Sequence, residues 1–475
     1  MNQSICEQKS FSRVMDLKLI LSVIAAGLLS FTGVVVETSM NVAFPTLMRE
    51  FGIGTAATQW ITTGYLLVIS IVIPASAFLK KRFRMRQLFL TAVLLFLFGT
   101  VMGAAASSFA ILLLARLIQG LGTGIALPLM YNIVLEQAPV EKMGFMMGIA
   151  TMITAVAPAV GPPFGGWVVH AAGWRYIFLF LIPVLVLALV LGLTSIRQAS
   201  APEPARLDKG GFVLLSLCFV CLLLGINQAG IHGWISVQSL GLLGAAAAAF
   251  VIFAVLGHHR EQPLLNLRVF RNRCYSASAA GIFLMFFLAL GLGYLMPNYA
   301  QLVLGSNSLQ AGVILVPGAV LGAVLTPFSG RIYDRIGAAG PILTGSAAAV
   351  IGLLLYTASG SLSVTKMQVF YLFFAFGQAM AVGNTMTHGL EALPRELQAD
   401  GNAVYNALQQ VSAAVGTSII TTIVSAAQLR LPHDLVRGTQ NGAHTGFQVL
   451  LAATVLFVIV SLISMGRKEK EAGVQ

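Results

Sequence analysis

Read along its length, the chain alternates long apolar runs with short polar breaks. A helix that crosses a bilayer needs about 20 mostly apolar residues. By that measure fourteen spans are predicted, over residues 18–47, 58–79, 87–106, 110–135, 143–169, 175–196, 211–230, 235–257, 275–297, 309–329, 338–358, 364–387, 401–426 and 444–466. The expected fold is an all-α integral membrane protein. The spans fall into a tail (1–17), a six-helix bundle (18–196), a polar linker (197–210) with Pro202, Pro204, Asp208 and Lys209, an inserted helix pair (211–257), a basic loop (258–274), a second six-helix bundle (275–466) and a short tail (467–475). The second span ends in Lys80-Lys81-Arg82-Phe83-Arg84-Met85-Arg86. The tenth ends at the matching place in Gly330-Arg331-Ile332-Tyr333-Asp334-Arg335-Ile336-Gly337, a weak internal repeat. Membrane carriers built from two such halves place their site at the interface between them, near the midplane.

Composition agrees and removes other classes. Of 475 residues, 57% are hydrophobic and 9% charged, with a mean hydropathy of +0.87; a soluble domain carries about 25% charged residues. The net charge of +12 would suit a nucleic-acid binder if the basic residues formed one patch. Instead they follow the topology. Among 28 Lys and Arg residues, Arg116 lies within a span, and Arg49, Arg175, Lys366, Arg430 and Arg437 fall on one side of the predicted membrane, with all the others on the opposite side. The positive-inside rule then puts both termini in the cytoplasm, accounts for most of the basic balance and leaves no reason to invoke nucleic acid. The first span follows a polar tail and is long, so it reads as an uncleaved helix rather than a signal peptide. Cys218 and Cys221 form a CxxC inside an apolar run, with no second pair or nearby histidine; they read as packing residues, and no metal or disulfide framework is implied.

The chemistry concentrates in the first span. Glu37 is the one acid predicted to lie well inside hydrocarbon, and a carboxylate at the bilayer centre costs roughly 2.5 to 3.5 kcal/mol on insertion scales. A carboxyl taken out of water holds its proton to higher pH than one in water, which is what proton exchange near neutrality requires. Ser30, Gly33, Val34, Glu37 and Asn41 share one helix face, so Glu37 and Asn41 are expected to line a path through the bundle. Arg116 in the fourth span lies at a depth within about 6 Å of Glu37, from a rise of roughly 1.5 Å per residue. A guanidinium alongside favours the ionised carboxylate and its withdrawal favours the protonated one, so the pair suits a proton switch; the plainer reading makes Arg116 a staple to helix carbonyls. The fifth span places Gly148, Ala157, Gly161, Pro162, Gly165 and Gly166 at spacings that let backbones approach and a helix bend or slide. Further polar positions are Tyr65, Tyr131, Asn132, Tyr294, Asn298, Gln378, Asn384 and His388. They read as cavity lining or, more simply, as hydrogen bonds between helices. No nucleophile paired with a base, HExxH or phosphate loop is present, so an enzyme is not expected.

These residues also carry a resemblance. Leu113-x-x-Arg116-x-x-Gln119-Gly120-x-Gly122-x-Gly124 resembles the fourth-helix signature of the major facilitator superfamily. The run from Gly148 through Ala157, Gly161 and Pro162 to Gly165-Gly166 is similar to its fifth-helix antiporter signature, with Ala157 in place of a glycine. The fourteen-span plan and Glu37-Thr38-Ser39-Met40-Asn41-Val42-Ala43-Phe44-Pro45 resemble its fourteen-helix drug:proton antiporters. Gln59-Trp60-Ile61-Thr62-Thr63-Gly64-Tyr65 and Pro263-Leu264-Leu265-Asn266-Leu267-Arg268-Val269-Phe270 resemble the lincomycin-resistance type. One departure stands out. The first cytoplasmic signature of that family, Gly-x-Leu-x-Asp-Arg-x-Gly-x-Arg, is here Ala77 to Arg86, without its glycines or acid, while the second copy keeps Gly330, Asp334, Arg335 and Gly337.

The resemblance implies a proton-coupled antiporter of the bacterial inner membrane that exports amphipathic drugs by rocking two halves about a central cavity. Glu37, Asn41 and Arg116 would couple protons to substrate, the fifth-helix residues with Asp334 and Arg335 would gate, and no cofactor beyond the proton gradient is expected. Neutral or monocationic substrates are favoured, because a single buried acid compensates one charge in low dielectric. The expected partners are these substrates, protons and membrane lipids, with the chain acting as a monomer. A symporter that imports a small solute and a non-transporting membrane sensor are the alternatives.

Overall fold

The computed structural model describes residues 16–53, 55–198, 202, 207–258, 260, 263–306 and 308–465. Residues 1–15 of the first predicted tail, the whole of the second and half of the linker lie outside these residues. Among the described residues the chain is helical throughout, without strands. The first half comprises α1 (Leu17–Phe51), α2 (Thr55–Arg82), α3 (Met85–Ala104), α4 (Phe109–Gln137), α5 (Met143–Ala171) and α6 (Arg175–Ser195). The inserted pair is α7 (Lys209–His232) and α8 (Val237–His258). The second half comprises α9 (Arg273–Leu302), α10 (Ser308–Val313), α11 (Val316–Ile336), α12 (Ala339–Ala358), α13 (Val364–Glu391), α14 (Arg395–Arg430) and α15 (Leu435–Met465). Among the described residues, fourteen helical stretches are long and apolar enough to cross a membrane, α10 and α11 together making one.

Helix starts follow local chemistry. The first amides of a helix have no partner within it, and a short polar side chain satisfies one of them. Asp16 accepts from the Leu19 amide at 2.9 Å, Asn272 from Tyr275 at 3.0 Å and Asp208 from Gly211 at 2.8 Å. The structure lengthens several predicted spans at their polar ends, two of them with consequences for the site. The thirteenth, expected from 401, begins at Arg395, which brings Asp400 inside the helix, and the tenth runs past 329 to Ile336, so the Gly330–Ile336 signature is helical rather than a loop.

In the first half α1 packs against α4, α5 and α6, and in the second α9 packs against α13, α14 and α15. The halves meet through α5 with α11 and α2 with α14, and α7 lies across α2 and α14 while α8 packs mainly on α7. Both the hydrogen bonds and the ion pairs described between the halves lie toward the end rich in Lys and Arg, here called the basic end. At the opposite end Glu50 ties α1 to α6: Trp174 Nε1 donates to one carboxylate oxygen at 2.7 Å and Arg175 pairs with the other at 2.7 Å. That hydrogen bond, followed by the arginine charge, holds the Glu50 carboxyl below the ordinary carboxylate range.

Candidate functional site

Glu37 sits deep in α1 yet remains partly accessible. Its charged neighbour is the opposite case. Arg116 on α4 is fully buried, with its guanidinium 4.1 Å from the centre of the Tyr65 ring on α2. Arg116 Nη1 donates to Gln119 Oε1 at 2.7 Å, and Gln119 Nε2 donates to Thr100 Oγ1 on α3 at 2.9 Å. The Tyr65 hydroxyl donates to Thr123 Oγ1 at 2.8 Å. Gly33, one turn before Glu37, makes this packing feasible: a Cβ there would fall 2.6 Å from Thr123 Oγ1 and 3.0 Å from the Tyr65 oxygen. Four helices thus hold one guanidinium beside one carboxylate. Glu37 and Arg116 feel each other's charge, but no ion pair joins them among the described residues. Arg116 Nε and Nη2 are buried without a hydrogen-bond partner. A buried donor left unpaired costs about 1–3 kcal/mol, and more when charged, so the site holds unused capacity to bind a carboxylate or another acceptor. Asn41, one turn beyond Glu37, is exposed and accepts from Thr62 Oγ1 of α2 at 2.7 Å.

The small residues of α5 serve two neighbours. Toward the basic end Gly144 and Gly148 press on α11: a Cβ at Gly148 would lie 2.7 Å from the Thr326 carbonyl, and one at Gly144 2.7 Å from that of Gly330. Farther along, a Cβ at Gly161 would collide with Thr38 and one at Gly165 would lie 2.8 Å from the backbone of Ser39, both on α1. Ser39 Oγ also donates to the Gly161 carbonyl at 2.8 Å. Ala157 is buried and Pro162 is exposed within a continuous helix. Gly166 has open space, since a methyl added there would come no nearer than 3.9 Å to any neighbour.

At the basic end the two copies of the repeat are joined with opposite charges. Asp334, at the end of α11, accepts from the amides of Gly144 and Phe145 at the start of α5, at 2.8 and 3.0 Å. A carboxylate there also meets the positive end of the helix dipole. Arg331 lies over the Phe145 ring at 4.3 Å, whereas Arg335, the arginine singled out in the sequence, is exposed. In the first copy Lys81 occupies the position of the missing acid and reaches Asp400 on α14 at 3.5 Å, and Lys80 pairs with Glu136 at 2.7 Å. The Asp400 side chain is only 2% exposed and also accepts from the Asn266 amide at 3.0 Å. Asn402 extends the seam, donating to the Pro128 carbonyl at 3.0 Å and to Asn132 Oδ1 at 2.9 Å.

Five of the proposed lining residues are packed instead of open. Tyr65, Tyr131, Asn132, Asn384 and His388 are buried. Tyr131 shares a hydrogen bond with Thr154 at 3.3 Å, Asn384 donates to Ser329 Oγ at 2.6 Å, and His388 Nε2 lies 3.3 Å from Cys274 Sγ. These are bonds between helices, the simpler reading of buried polar groups in a membrane. Tyr294, Asn298 and Gln378 keep partial access. Sequence reasoning missed Lys81 and Asp400 as a pair; the signal was an acid at the head of a span and a lysine where the repeat requires an acid.

Comparison with known proteins gives the family and the fold. The family model of the Major Facilitator Superfamily matches residues 23–417. The chain is 36% identical to the uncharacterised transporter YhcA of Bacillus subtilis, over 85% of this chain and 76% of that protein. It is 34% identical to the lincomycin resistance protein LmrB of Listeria innocua, over 88% of each. Among solved structures, the proton:xylose symporter XylE superposes with a TM-score of 0.62 at 15% identity, covering 93% of this chain and 94% of that one, a likeness of fold.

Proposed function

The chain belongs to the major facilitator superfamily and is a transporter rather than an enzyme; from that premise we propose that it is a proton-driven antiporter that exports amphipathic, neutral or monocationic compounds. The observation that carries the reading is the fully buried Arg116, with two of its guanidinium nitrogens unpaired, beside the partly accessible residue Glu37. Protonated Glu37 places no charge in the bundle. Ionised Glu37 is stabilised by the Arg116 charge and offers its carboxylate to a cationic or hydrogen-bonding substrate, so proton and substrate compete for one group. The halves meet at the basic end while Glu37 and Asn41 stay accessible, the arrangement of a carrier open to the opposite side. With the basic end in the cytoplasm of a bacterium, by the positive-inside rule, this is the outward-facing state in the inner membrane. The resistance proteins among its relatives, including the LmrB proteins and a multidrug resistance protein B homologue of Mycobacterium tuberculosis, support export over import.

The test is transport of a fluorescent cationic dye into proteoliposomes under an imposed pH gradient. Wild type is expected to accumulate dye against its gradient when the lumen is acid, and Glu37→Gln to lose pH-driven accumulation. Uptake driven by protons moving in the same direction as the dye would replace antiport with symport. Undiminished accumulation by the variant would remove Glu37 from the coupling.

A further inference from the structure

The inserted helix pair ends at the basic side in a pocket that the transport cycle does not use. Between the last turns of α8 and the 3-10 turn Leu267–Arg271 lies a cavity of about 340 Å³. Part of its wall is apolar, from Ala254 of α8, Pro263 and Leu267, and Arg260, Asn266, Arg268 and Arg271 line the rest. Arg260 pairs with the buried Asp208 at the head of α7. Arg268 and Arg271 are exposed and have no ion pair among the described residues. The location narrows the ligand. α8 packs mainly on α7 and this turn, so its other flank, with Val251, Ile252 and Val255 exposed, lies against lipid. Phe270 on the turn is exposed beside these two arginines. Guanidinium groups recognise phosphate oxygens in a fork geometry, and basic pockets at the cytoplasmic face of transmembrane helices suit anionic headgroups. A soluble anion would leave the apolar part of the wall and the lipid-facing flank of α8 unused.

We propose that this pocket binds an anionic phospholipid, its phosphate held by Arg268 and Arg271 and an acyl chain lying along Ala254 and Leu267. The occupant would also reach the seam between the halves. The Asn266 amide, at the entry to the same turn, donates to Asp400, the partner of Lys81. A lipid that fixes the turn fixes Asp400 where Lys81 meets it, and so favours the closed basic end.

The experiment is native mass spectrometry of the purified full chain in detergent, titrated separately with dioleoylphosphatidylglycerol, dioleoylphosphatidylcholine and sodium phosphate. Wild type is expected to retain phosphatidylglycerol in preference to phosphatidylcholine, with phosphate failing to displace it. The R268Q/R271Q variant should bind it roughly 30-fold more weakly, from about fivefold per basic residue near an anionic surface, and R268K/R271K should keep most of the binding. Ala254→Trp, which fills the apolar wall and spares the arginines, should also weaken it, an independent check if the arginine variants fold poorly. Equal retention of the two lipids, or wild-type affinity in both R268Q/R271Q and A254W, overturns the site. Displacement by millimolar phosphate with A254W unaffected would make it a soluble-anion site and overturn the lipid assignment.

Discussion

Alanine at Asp334 should open the basic end. In the structure one carboxylate takes both the Gly144 and the Phe145 amide, at 2.8 and 3.0 Å, and it is the principal polar link between α11 and α5. Hydrogen bonds to a charged group contribute about 1.5–3 kcal/mol each, and this pair is only partly buried and its amides recover water on opening, so the loss of both is taken as about 2 kcal/mol. At 1.4 kcal/mol per tenfold, the equilibrium between closed and open states moves by roughly 30-fold. The readout is a cysteine at Thr151, which is 6% exposed and faces Gly383 across the interface, in a background with Cys6, Cys218, Cys221 and Cys274 replaced by alanine. A membrane-impermeant maleimide presented at the basic side should label Thr151→Cys roughly 30-fold faster with Asp334→Ala than without it. Asp334→Asn keeps one acceptor and should fall between. An unchanged labelling rate in correctly folded Asp334→Ala would show that the Gly144–Gly330 contact closes the seam without the carboxylate.

The same labelling assay tests the reversed charges of the other copy. Lys81→Ala and Asp400→Ala should each accelerate labelling and show a coupling of about 0.5–2 kcal/mol in a double-mutant cycle, with additivity showing that the 3.5 Å pair is incidental. The small residues of α5 should separate by contact, whatever their place in the family signature. Gly165→Ala, whose methyl meets the Ser39 backbone, should cost about 1–3 kcal/mol in thermal stability, while Gly166→Ala should be neutral; equal costs would refute the contact argument. Glu50 gives a pH signature. Its folded pKa is depressed, so its clamp on Trp174 and Arg175 stabilises above the ordinary carboxylate pKa of about 4.3 and is lost as pH falls through the lower folded value. Because Glu50 is about one-third exposed, the effect should stay below about 1 kcal/mol. Trp174→Phe should therefore lower the unfolding temperature at pH 7 and do so less at pH 3, and an equal drop at both would assign the loss to packing.

The spans were legible because hydrocarbon demands long apolar runs, and both signature helices carry their spacing in side chains. Glu37 and Arg116 stood out for the same reason, since a charge within a span is costly wherever it occurs. The partner of Asp334 was hidden: it is a pair of backbone amides, which every residue carries and no sequence marks. Asp400 was hidden differently. Its helix begins with Arg395, Glu396 and Gln398, a stretch that reads as loop by hydropathy but extends the thirteenth span by more than a turn and buries the acid. Tyr65 read as cavity lining or, more simply, as a hydrogen bond between helices; which of the two holds depends on a neighbouring helix approaching at Gly33 and on Arg116 covering the ring, which a one-dimensional pattern does not record.

The central claim, that Glu37 exchanges a proton for substrate, is tested most directly without transport. Purified protein in weakly buffered detergent solution at neutral pH, carrying a soluble pH indicator, is mixed with a saturating cationic substrate dye. The account predicts that wild type releases protons on binding and that Glu37→Gln binds dye with no release. Equal release by wild type and Glu37→Gln, or binding to wild type without any release, would contradict it.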